Sequence, residues 1–274
     1  MQAASRESYA AAAEELRSYS TGADPDALVA LSDEILGVAR LLGREPRLRR
    51  ALADPGRPGA DRSELLRAVL EGSVGAEAVR ILEKLVGGRW SSAAELLDAT
   101  ERLAVDALLA SADKAGDLAD VEDELFRFGQ IISGTPRLAA ILGDATADPE
   151  RRGELVHGLL DGKANAVTVK LAELALSGFG GRGFATALTR LVELAAEVRD
   201  RSLAYVTVAM PLSDADEQRL GGKLSELYGR EISLKIIVDA HVVGGVRVQV
   251  GNDLYDGTVS RRLAEVRNAL TGKS

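Results

Sequence analysis

Histidine and cysteine, the residues that most often carry nucleophilic or metal chemistry, are nearly absent from this sequence. There is no cysteine, which excludes disulfides, thiolate metal sites and cysteine nucleophiles. The two histidines, His157 and His241, lack the H-x-x-x-H or H-E-x-x-H spacing of a zinc site. We therefore predict no catalytic residue, no metal site and no cofactor, with a packing or solvent-exposed role for both histidines.

Glycine-rich stretches are the second place to look for chemistry, because the backbone N–H groups of such loops can bind phosphates. The run from Gly178 to Gly183 lies between helical patterns, whereas a dinucleotide site needs a strand before its glycines. It also lacks the Gly-Lys-Ser/Thr of a phosphate loop, so we interpret it as a helix–helix connector. Gly244 and Gly245 lie between two predicted strands, where glycine permits a positive φ or a close backbone approach.

Charge and composition exclude several further classes of protein. The net charge is -8, the sign opposite to that of a typical nucleic-acid binder, and aromatic residues make up only 4% of the 274 residues. The N-terminus carries glutamates and has no long apolar core, and no run of about 18 apolar residues occurs. We expect a soluble protein in the cytoplasm or on the cytoplasmic face of a complex, with no membrane insertion and no nucleic-acid partner.

Helical periodicity dominates from residue 3 to about 202, with apolar residues at spacings of three and four. Glycine and proline interrupt the pattern where helices should end: Gly43 to Pro46, Asp54 to Gly56, Gly72, Gly87-Gly88, Pro136, Asp148-Pro149 and Gly178 to Gly183. The chain is therefore predicted to be mainly α.

An internal repeat emerges when the sequence is shifted by 90 residues. Glu34 to Pro55 then superposes on Glu124 to Ala145, and each segment contains Pro-Arg-Leu. Gly72 meets Gly162 at the same offset. We predict two copies of a six-helix bundle, an extra copy in residues 1–90 and a second copy in residues 91–202, with the helix from Ser91 to about Ala115 closing the first and opening the second. A general likeness between Ala/Leu-rich helices is the alternative.

The period changes after residue 202, which predicts a small α/β domain in residues 203–274. Alternating segments predict strands at Leu203 to Met210, Ile232 to Val238, Gly245 to Val250 and Leu254-Tyr255. One helix is predicted after Ser213, ending near Tyr228, and a last one from Thr258 to Leu270. The fold class is thus a duplicated six-helix bundle followed by a β-α-β-β-α domain.

The stretch from Ile232 to Gly251 resembles the C-terminal signature of the δ subunit family of F-type ATP synthase, the oligomycin-sensitivity-conferring family. An alternating strand is followed by an acidic residue, a short apolar turn, a Gly-Gly pair and a second alternating strand. An Asp-Gly pair and a basic, leucine-containing helix then follow. The matching positions, to which we assign a structural role, are Asp239, Gly244, Gly245, Val246, Gly251, Asp256 and Gly257.

The resemblance implies a function in holding other proteins together. Residues from about 92 to 270 correspond to one complete δ subunit, and the extra copy is most like the extended chains of actinobacteria. Members of the family are non-catalytic stator subunits, peripheral on the cytoplasmic face of the membrane. Their helical bundle binds the N-terminal helices of subunit α, their C-terminal domain binds the end of the stalk subunit b, and contacts with subunit β are expected. Together they let the catalytic head resist rotor torque during proton-driven ATP synthesis.

Two sets of residues are candidates for the helix-binding groove of the bundle. Family members open with a tyrosine-alanine helix, which Tyr9, Ala12 and Leu16 of the first copy match, although these residues equally fit an ordinary buried helix face. The second copy, which leads directly into the C-terminal domain, is the one we favour for binding subunit α. Its candidates are Leu103, Ala104, Leu108, Val169 and Ala172.

Two other functions are compatible with parts of the sequence. A different helical adaptor would have to explain the Ile232 to Gly251 signature as coincidence, because fold alone does not determine function. An RNA-binding module would rest on a small basic cluster near the C-terminus, which a solvated helix face explains more simply. That cluster consists of Arg261, Arg262, Arg267 and Lys273.

Overall fold

The computed structural model of the chain describes residues 1–228, 232–239, 242–250, 253–259 and 261. These residues form helices throughout the first three quarters of the chain and a small mixed sheet near its end, so the predicted fold class is confirmed. The helices are α1 Ala3–Gly22, α2 Pro25–Arg44, α3 Pro46–Ala53, α4 Gly59–Leu70, α5 Ala76–Gly87, α6 Ala93–Ala115, α7 Leu118–Gly134, α8 Pro136–Gly143, α9 Pro149–Leu160, α10 Ala166–Leu176, α11 Phe184–Ser202 and α12 Asp214–Tyr228. The strands are β1 Leu203–Val208, β2 Ser233–Val238, β3 Val246–Val250 and β4 Asp253–Asp256.

The chain forms two compact units, residues 1–195 and 196–274. The boundary between them falls inside α11. The borders predicted after residues 90 and 202 stay predictions. His241, Gly251 and most of the predicted last helix lie outside the described residues.

The 90-residue repeat is visible in the bounds of the helices. Each of α3, α4 and α5 begins 90 residues before α8, α9 and α10, respectively. The turn after α4 and the turn after α9 each contain one glycine in the left-handed region, Gly72 at φ 72° and Gly162 at φ 67°. A side chain at these positions would be strained, so both turns need glycine.

A buried arginine occupies the same place in each copy. Arg62 donates to the carbonyl oxygens of Gly87 and Gly88, at 3.1 and 2.7 Å, and is only 3% exposed. Arg152, 90 residues later and 8% exposed, donates to the carbonyl oxygen of Leu142 at 3.2 Å. These bonds give orphan carbonyls at the ends of short helices a charged donor, an arrangement worth more than a neutral hydrogen bond.

Helix α6 is the centre of the helical unit. The structure describes all of residues 95–113, and none of them is exposed. One side of α6 packs against α1, α2, α3 and α5, and another packs against α7, α10 and the turn at Phe179–Gly181. A helix with neighbours on nearly every side must be apolar over most of its surface, and α6 carries leucine and alanine everywhere except on one narrow stripe, where Asp106 accepts bonds from Arg102 and Tyr9.

Helix α2 supplies the largest part of the contact with α6 in the described part of the chain. Its buried large aliphatic side chains are Leu28, Leu31, Ile35, Val38 and Leu42. Burying a side chain of this kind contributes about 1.5–3 kcal/mol. These residues follow the spacing of three and four from which helices are predicted in this part of the chain.

The second unit is built on a four-stranded sheet in the order β2-β1-β3-β4, with β1 parallel to β2 and antiparallel to β3. The alternating residues of one face point into a core with Leu224 of α12. The core residues contributed by the strands are Ala204, Val206, Val208, Val248 and Val250. The predicted β-α-β-β order is confirmed as far as β4.

We expect the substitution Leu108→Ala to destabilise both helical copies together, by about 2–5 kcal/mol, because Leu108 is fully buried in the shared helix. Amide hydrogen exchange in α2 and α10 should accelerate in parallel. Ile131→Ala, at a side chain 56% exposed, is the control and should change stability by no more than about 0.5 kcal/mol. Faster exchange in one copy alone would contradict the shared core.

Candidate interaction surfaces

The five candidate groove residues of the second copy lie at the centre of the helical unit. Leu103, Ala104, Leu108 and Ala172 are fully buried, and Val169 is half-buried. Ser32 of α2 donates a hydrogen bond of 2.8 Å to the carbonyl oxygen of Ala104, and this bond is buried. The structure thus brings these residues together as core, and their predicted role in binding a partner stays a prediction.

The three candidates of the first copy lie on the inner face of α1. Ala12 and Leu16 are buried in the core of the first copy, which is the packing role that the sequence left open for them. Tyr9 is half-buried, and its hydroxyl donates to the Asp106 carboxylate of α6. Burial and the negative charge of Asp106 raise the pKa of Tyr9 well above its usual range, so the phenol stays protonated and keeps its donor.

Asp106 also accepts a bond of 2.9 Å from Arg102, one turn earlier on α6. The carboxylate therefore joins a phenol of α1 to a guanidinium of α6, and all three side chains are largely sheltered from water. Nothing in the spacing of Tyr9 and Asp106, 97 residues apart, pointed to this contact.

Two polar contacts anchor parts of the second copy, the first to α2 of the extra copy and the second to the shared helix α6. Lys170 of α10 forms a salt bridge with Asp33 of α2, with a distance of 2.7 Å between its nitrogen and Oδ1. The backbone N–H of Gly180 donates to Glu101 of α6 at 2.7 Å. Burial raises the pKa of Glu101, although the Gly180 N–H opposes this shift. The interpretation of Gly178 to Gly183 as a helix–helix connector is confirmed, since it joins α10 to α11.

The helical unit exposes a group of large apolar side chains on α7 and α8, which the sequence analysis missed. Phe126, Ile131 and Ile141 are 51%, 56% and 43% exposed, respectively. Leu36 and Leu41, the first-copy counterparts of Phe126 and Ile131, pack partly against the core. Phe126 and Ile131 are five residues apart and flank the exposed side of α7, and Ile141 lies on the adjoining α8. We call these three residues the α7–α8 patch. The replacement of leucine by phenylalanine and isoleucine at positions 126 and 131 is the signal in the sequence that could have drawn attention to the patch.

The glycines of the signature allow two backbone segments of the small unit to approach each other. Gly244 and Gly245 have φ values of 79° and 84°, in the left-handed region. A Cβ atom on Gly245 would lie 2.5 Å from the carbonyl oxygen of Gly257. Gly257 in turn donates from its N–H to the carbonyl oxygen of Val246 at 2.9 Å, which closes the end of the β3–β4 pair.

The two acidic residues of the signature hold the same end of the sheet. The Asp239 N–H donates to the carbonyl oxygen of Val208 at 2.9 Å, continuing the pairing of β1 with β2. Asp256 accepts from the N–H and the hydroxyl of Thr258, at 3.1 and 2.7 Å. It also pairs with Arg247 at 3.1 Å. The bonds from Thr258, and secondarily Arg247, lower the pKa of Asp256.

Exposed apolar side chains surround this end of the sheet. Met210 follows β1, Val238 ends β2, Val243 lies in the glycine turn and Val259 follows β4. They are 74%, 53%, 67% and 41% exposed, respectively. The Val259 N–H donates to the carbonyl oxygen of Gly244 at 3.1 Å, so the last two belong to adjoining segments. We call these four residues the sheet-end patch.

Metal sites and membrane-spanning helices are both absent from the described part of the chain. Among those residues, no three or more acidic or histidine side chains are grouped as a metal site would require. The described helices include none that is long and apolar enough to cross a membrane. His157 lies on α9 with its side chain 58% exposed, beside Asp161.

We expect Gly245→Ala to destabilise the small unit by about 1–3 kcal/mol, because the residue needs a positive φ and the added Cβ meets Gly257. Gly222→Ala on α12 is the matched control. It meets no atom within 4 Å and should stabilise by about 0.5–1 kcal/mol. Hydrogen exchange of the β3 amides measures both effects, and unchanged exchange with Gly245→Ala would refute the close approach.

We expect the small unit to lose stability in acid through Asp256. Since folding lowers the pKa of this carboxyl, its contribution is present above the unfolded pKa of about 3.9 and disappears as the pH falls through the folded value. Urea unfolding followed from about pH 6 to pH 2 should therefore show a flatter acid limb for Asp256→Asn. Glu226→Gln, at an exposed carboxyl on α12, controls for the lost charge. An unchanged acid limb would contradict the assignment.

Comparisons with known proteins agree on one family. The family described as "ATP synthase delta (OSCP) subunit" matches residues 105–270. The ATP synthase subunit delta of Salinispora arenicola is 61% identical, with 98% of this chain and 99% of that protein covered. Those of Streptomyces avermitilis and Kineococcus radiotolerans are 45% and 42% identical, covering 97% and 88% of this chain and 97% and 87% of their own lengths, respectively.

The family match begins inside the shared helix α6 and covers most of the second copy and of the small unit, whereas the Salinispora arenicola and Streptomyces avermitilis relatives align along nearly the whole chain. The extra copy is therefore a feature that the chain shares with these extended actinobacterial proteins. The resemblance seen in the signature is confirmed. The chain belongs to the ATP synthase delta (OSCP) subunit family, as a structural, non-catalytic component of the peripheral stalk that links the catalytic head to the stator.

Proposed function

We propose that this chain joins head and stalk through two separate contacts. Its helical unit binds the N-terminal helices of subunit α, and its small unit binds the C-terminal end of the stalk subunit b. The observation that carries this proposal is that each unit has its own core and its own group of exposed large apolar side chains. A linker between two partners needs two such surfaces.

The α7–α8 patch supports helix recognition by the helical unit. Exposed phenylalanine and isoleucine side chains on neighbouring helices provide the kind of surface on which an amphipathic helix buries its apolar face. Of the five large apolar side chains exposed in the described helical unit, three belong to this patch. This distribution favours the second copy as the one that binds subunit α.

The sheet-end patch supports a separate contact through the small unit. Four apolar side chains from four chain segments meet at an end of the sheet that the signature glycines and Asp256 hold in place. A patch of side chains on such a fixed backbone loses little conformational entropy when a partner binds. We assign this surface to subunit b.

The same proposal places the chain at the cytoplasmic face of the membrane, as a peripheral component of the synthase. Its partners there are subunits α and b, with additional contacts to subunit β. Two observations support a peripheral position in a membrane-associated complex: the family of the chain, and the fact that none of its described helices is long and apolar enough to cross a membrane. The cytoplasmic side and the individual partners are the proposed part.

We expect the two contacts to be lost independently. With Phe126→Asp and Ile131→Asp combined, binding to subunit α should weaken at least about tenfold, because a charge replaces apolar contact area, while binding to subunit b is retained. Met210→Asp with Val243→Asp should do the reverse. All four side chains are exposed, so folding should be preserved, which circular dichroism checks.

The assay is co-purification of the tagged chain with α, β and b subunits from salt-washed membranes, followed by titration with the separate subunits. Phe126→Leu with Ile131→Leu, which keeps the apolar surface, is the matched control and should bind normally. Retention of both partners by both charged variants would refute the assignment of these patches. Recovery of none of the three subunits by the unmodified chain would refute the proposed function itself.

A further inference from the structure

Helix α6 packs against two sets of helices, one from each copy, whereas the opening helix of a single bundle packs against one set. As the closing helix of the first copy it packs against α1, α2, α3 and α5, and as the opening helix of the second it packs against α7 and α10. Helix α1, the opening helix of the first copy, buries one stripe of four residues: Ser5, Ser8, Ala12 and Leu16. Helix α6 buries eleven residues, which cover its circumference except for the charged stripe that contains Arg102 and Asp106.

We propose that the extra copy permanently occupies the packing surface of the opening helix of the second copy. In the working protein α6 is therefore closed to any external helix. The occupant is α2 of this same chain. The inference rests on the proposed function only in naming subunit α as the helix that is excluded. A partner that recognises the second copy then contacts helices other than α6.

Buried polar contacts hold α2 and its flanking turn in place. Ser32 donates to the carbonyl oxygen of Ala104 at 2.8 Å inside the core. Ser111 of α6 donates to the carbonyl oxygen of Pro25, the first residue of α2, at 2.9 Å. Lys114 reaches the carbonyl oxygen of Thr21 at 3.1 Å, at the end of α1. If α2 lifted away, the buried members of these pairs would lose their partners along with the apolar contacts.

A salt bridge fastens the outer side of α2 to the second copy itself. Lys170 lies on α10, and its bond to Asp33 spans the edge of the interface. Both side chains are partly exposed, so this pair contributes orientation more than stability. It shows that Lys170 of α10 reaches the outer side of α2, near the place where an incoming helix would have to insert.

Because α2 covers α6, a chain without residues 1–90 would present a surface that the full chain does not. Removing residues 1–90 would take α2 away and expose Leu103, Leu108 and their neighbours, all of which are fully buried in the full chain. An apolar surface of that kind would bind amphipathic helices whether or not the intact protein does. The full chain is therefore the one to test.

The test uses cysteine labelling, because the chain has no cysteine of its own. Ser32→Cys places a near-isosteric thiol in the α2–α6 interface, and Ser18→Cys places one on the exposed side of α1. We expect a maleimide to label the first at least about 1000-fold more slowly than the second, as for a site that opens only with the core. A synthetic peptide of the N-terminal helix of subunit α, at saturating concentration, should not change that ratio.

Labelling of Ser32→Cys at a rate near that of Ser18→Cys, or its acceleration by the peptide, would overturn the proposal. Because Ser32→Cys also alters a buried hydrogen bond, amide exchange of residues 100–110 in the unmodified chain gives a second measurement and should be equally slow with and without peptide. If the peptide does not bind the Ser18→Cys chain at all, the proposed contact with subunit α fails. The rates without peptide still decide whether α6 is closed.

Discussion

Helix α6 belongs to two sets of helices at once, and the arrangement of the helical unit follows from that sharing. A helix with neighbours on nearly every side must carry apolar or small residues over most of its surface, and α6 does so from Leu96 to Ala112 except along the stripe that contains Asp98, Arg102 and Asp106. The two copies therefore cannot separate without exposing this helix. The second copy is therefore not a separate domain. It forms one compact unit with the extra copy, residues 1–195.

The polar contacts of the helical unit act mainly at the ends of short helices. Helices α3 and α8 have eight residues each, too few to be stable alone, and their terminal carbonyls need donors. Arg152 supplies one to Leu142, and the corresponding Arg62 binds carbonyls after α5. Both arginines are held by backbone oxygens and so fix the course of the chain. The arginine recurs at the 90-residue offset, although the carbonyls that it binds differ between the copies.

Much of the fold could be predicted because local signals agree with the tertiary structure. Proline at positions 46 and 136 begins the short helices, and Gly72 and Gly162 end turns at the same offset. The candidate surfaces could not be predicted in this way. An apolar residue such as Leu103 looks the same in a sequence whether it faces a core or a partner, and only the position of α2 decides between them. The bond from Tyr9 to Asp106 likewise depends on packing across 97 residues.

The second unit also has a closely packed support, at the end of the sheet where glycines let two backbone segments approach. Gly245 and Gly257 place two backbones in contact, and Asp256 satisfies the donors that this approach creates, so the segments carrying Val243 and Val259 have little freedom left. A joint that transmits torque requires surfaces that do not yield when loaded. Rigid backbone beneath exposed apolar side chains meets that need in the small unit, as the closed core around α6 does in the helical unit. Exposed side chains are then left to contact the partners. The signature residues Gly245, Asp256 and Gly257 instead support the backbone from within.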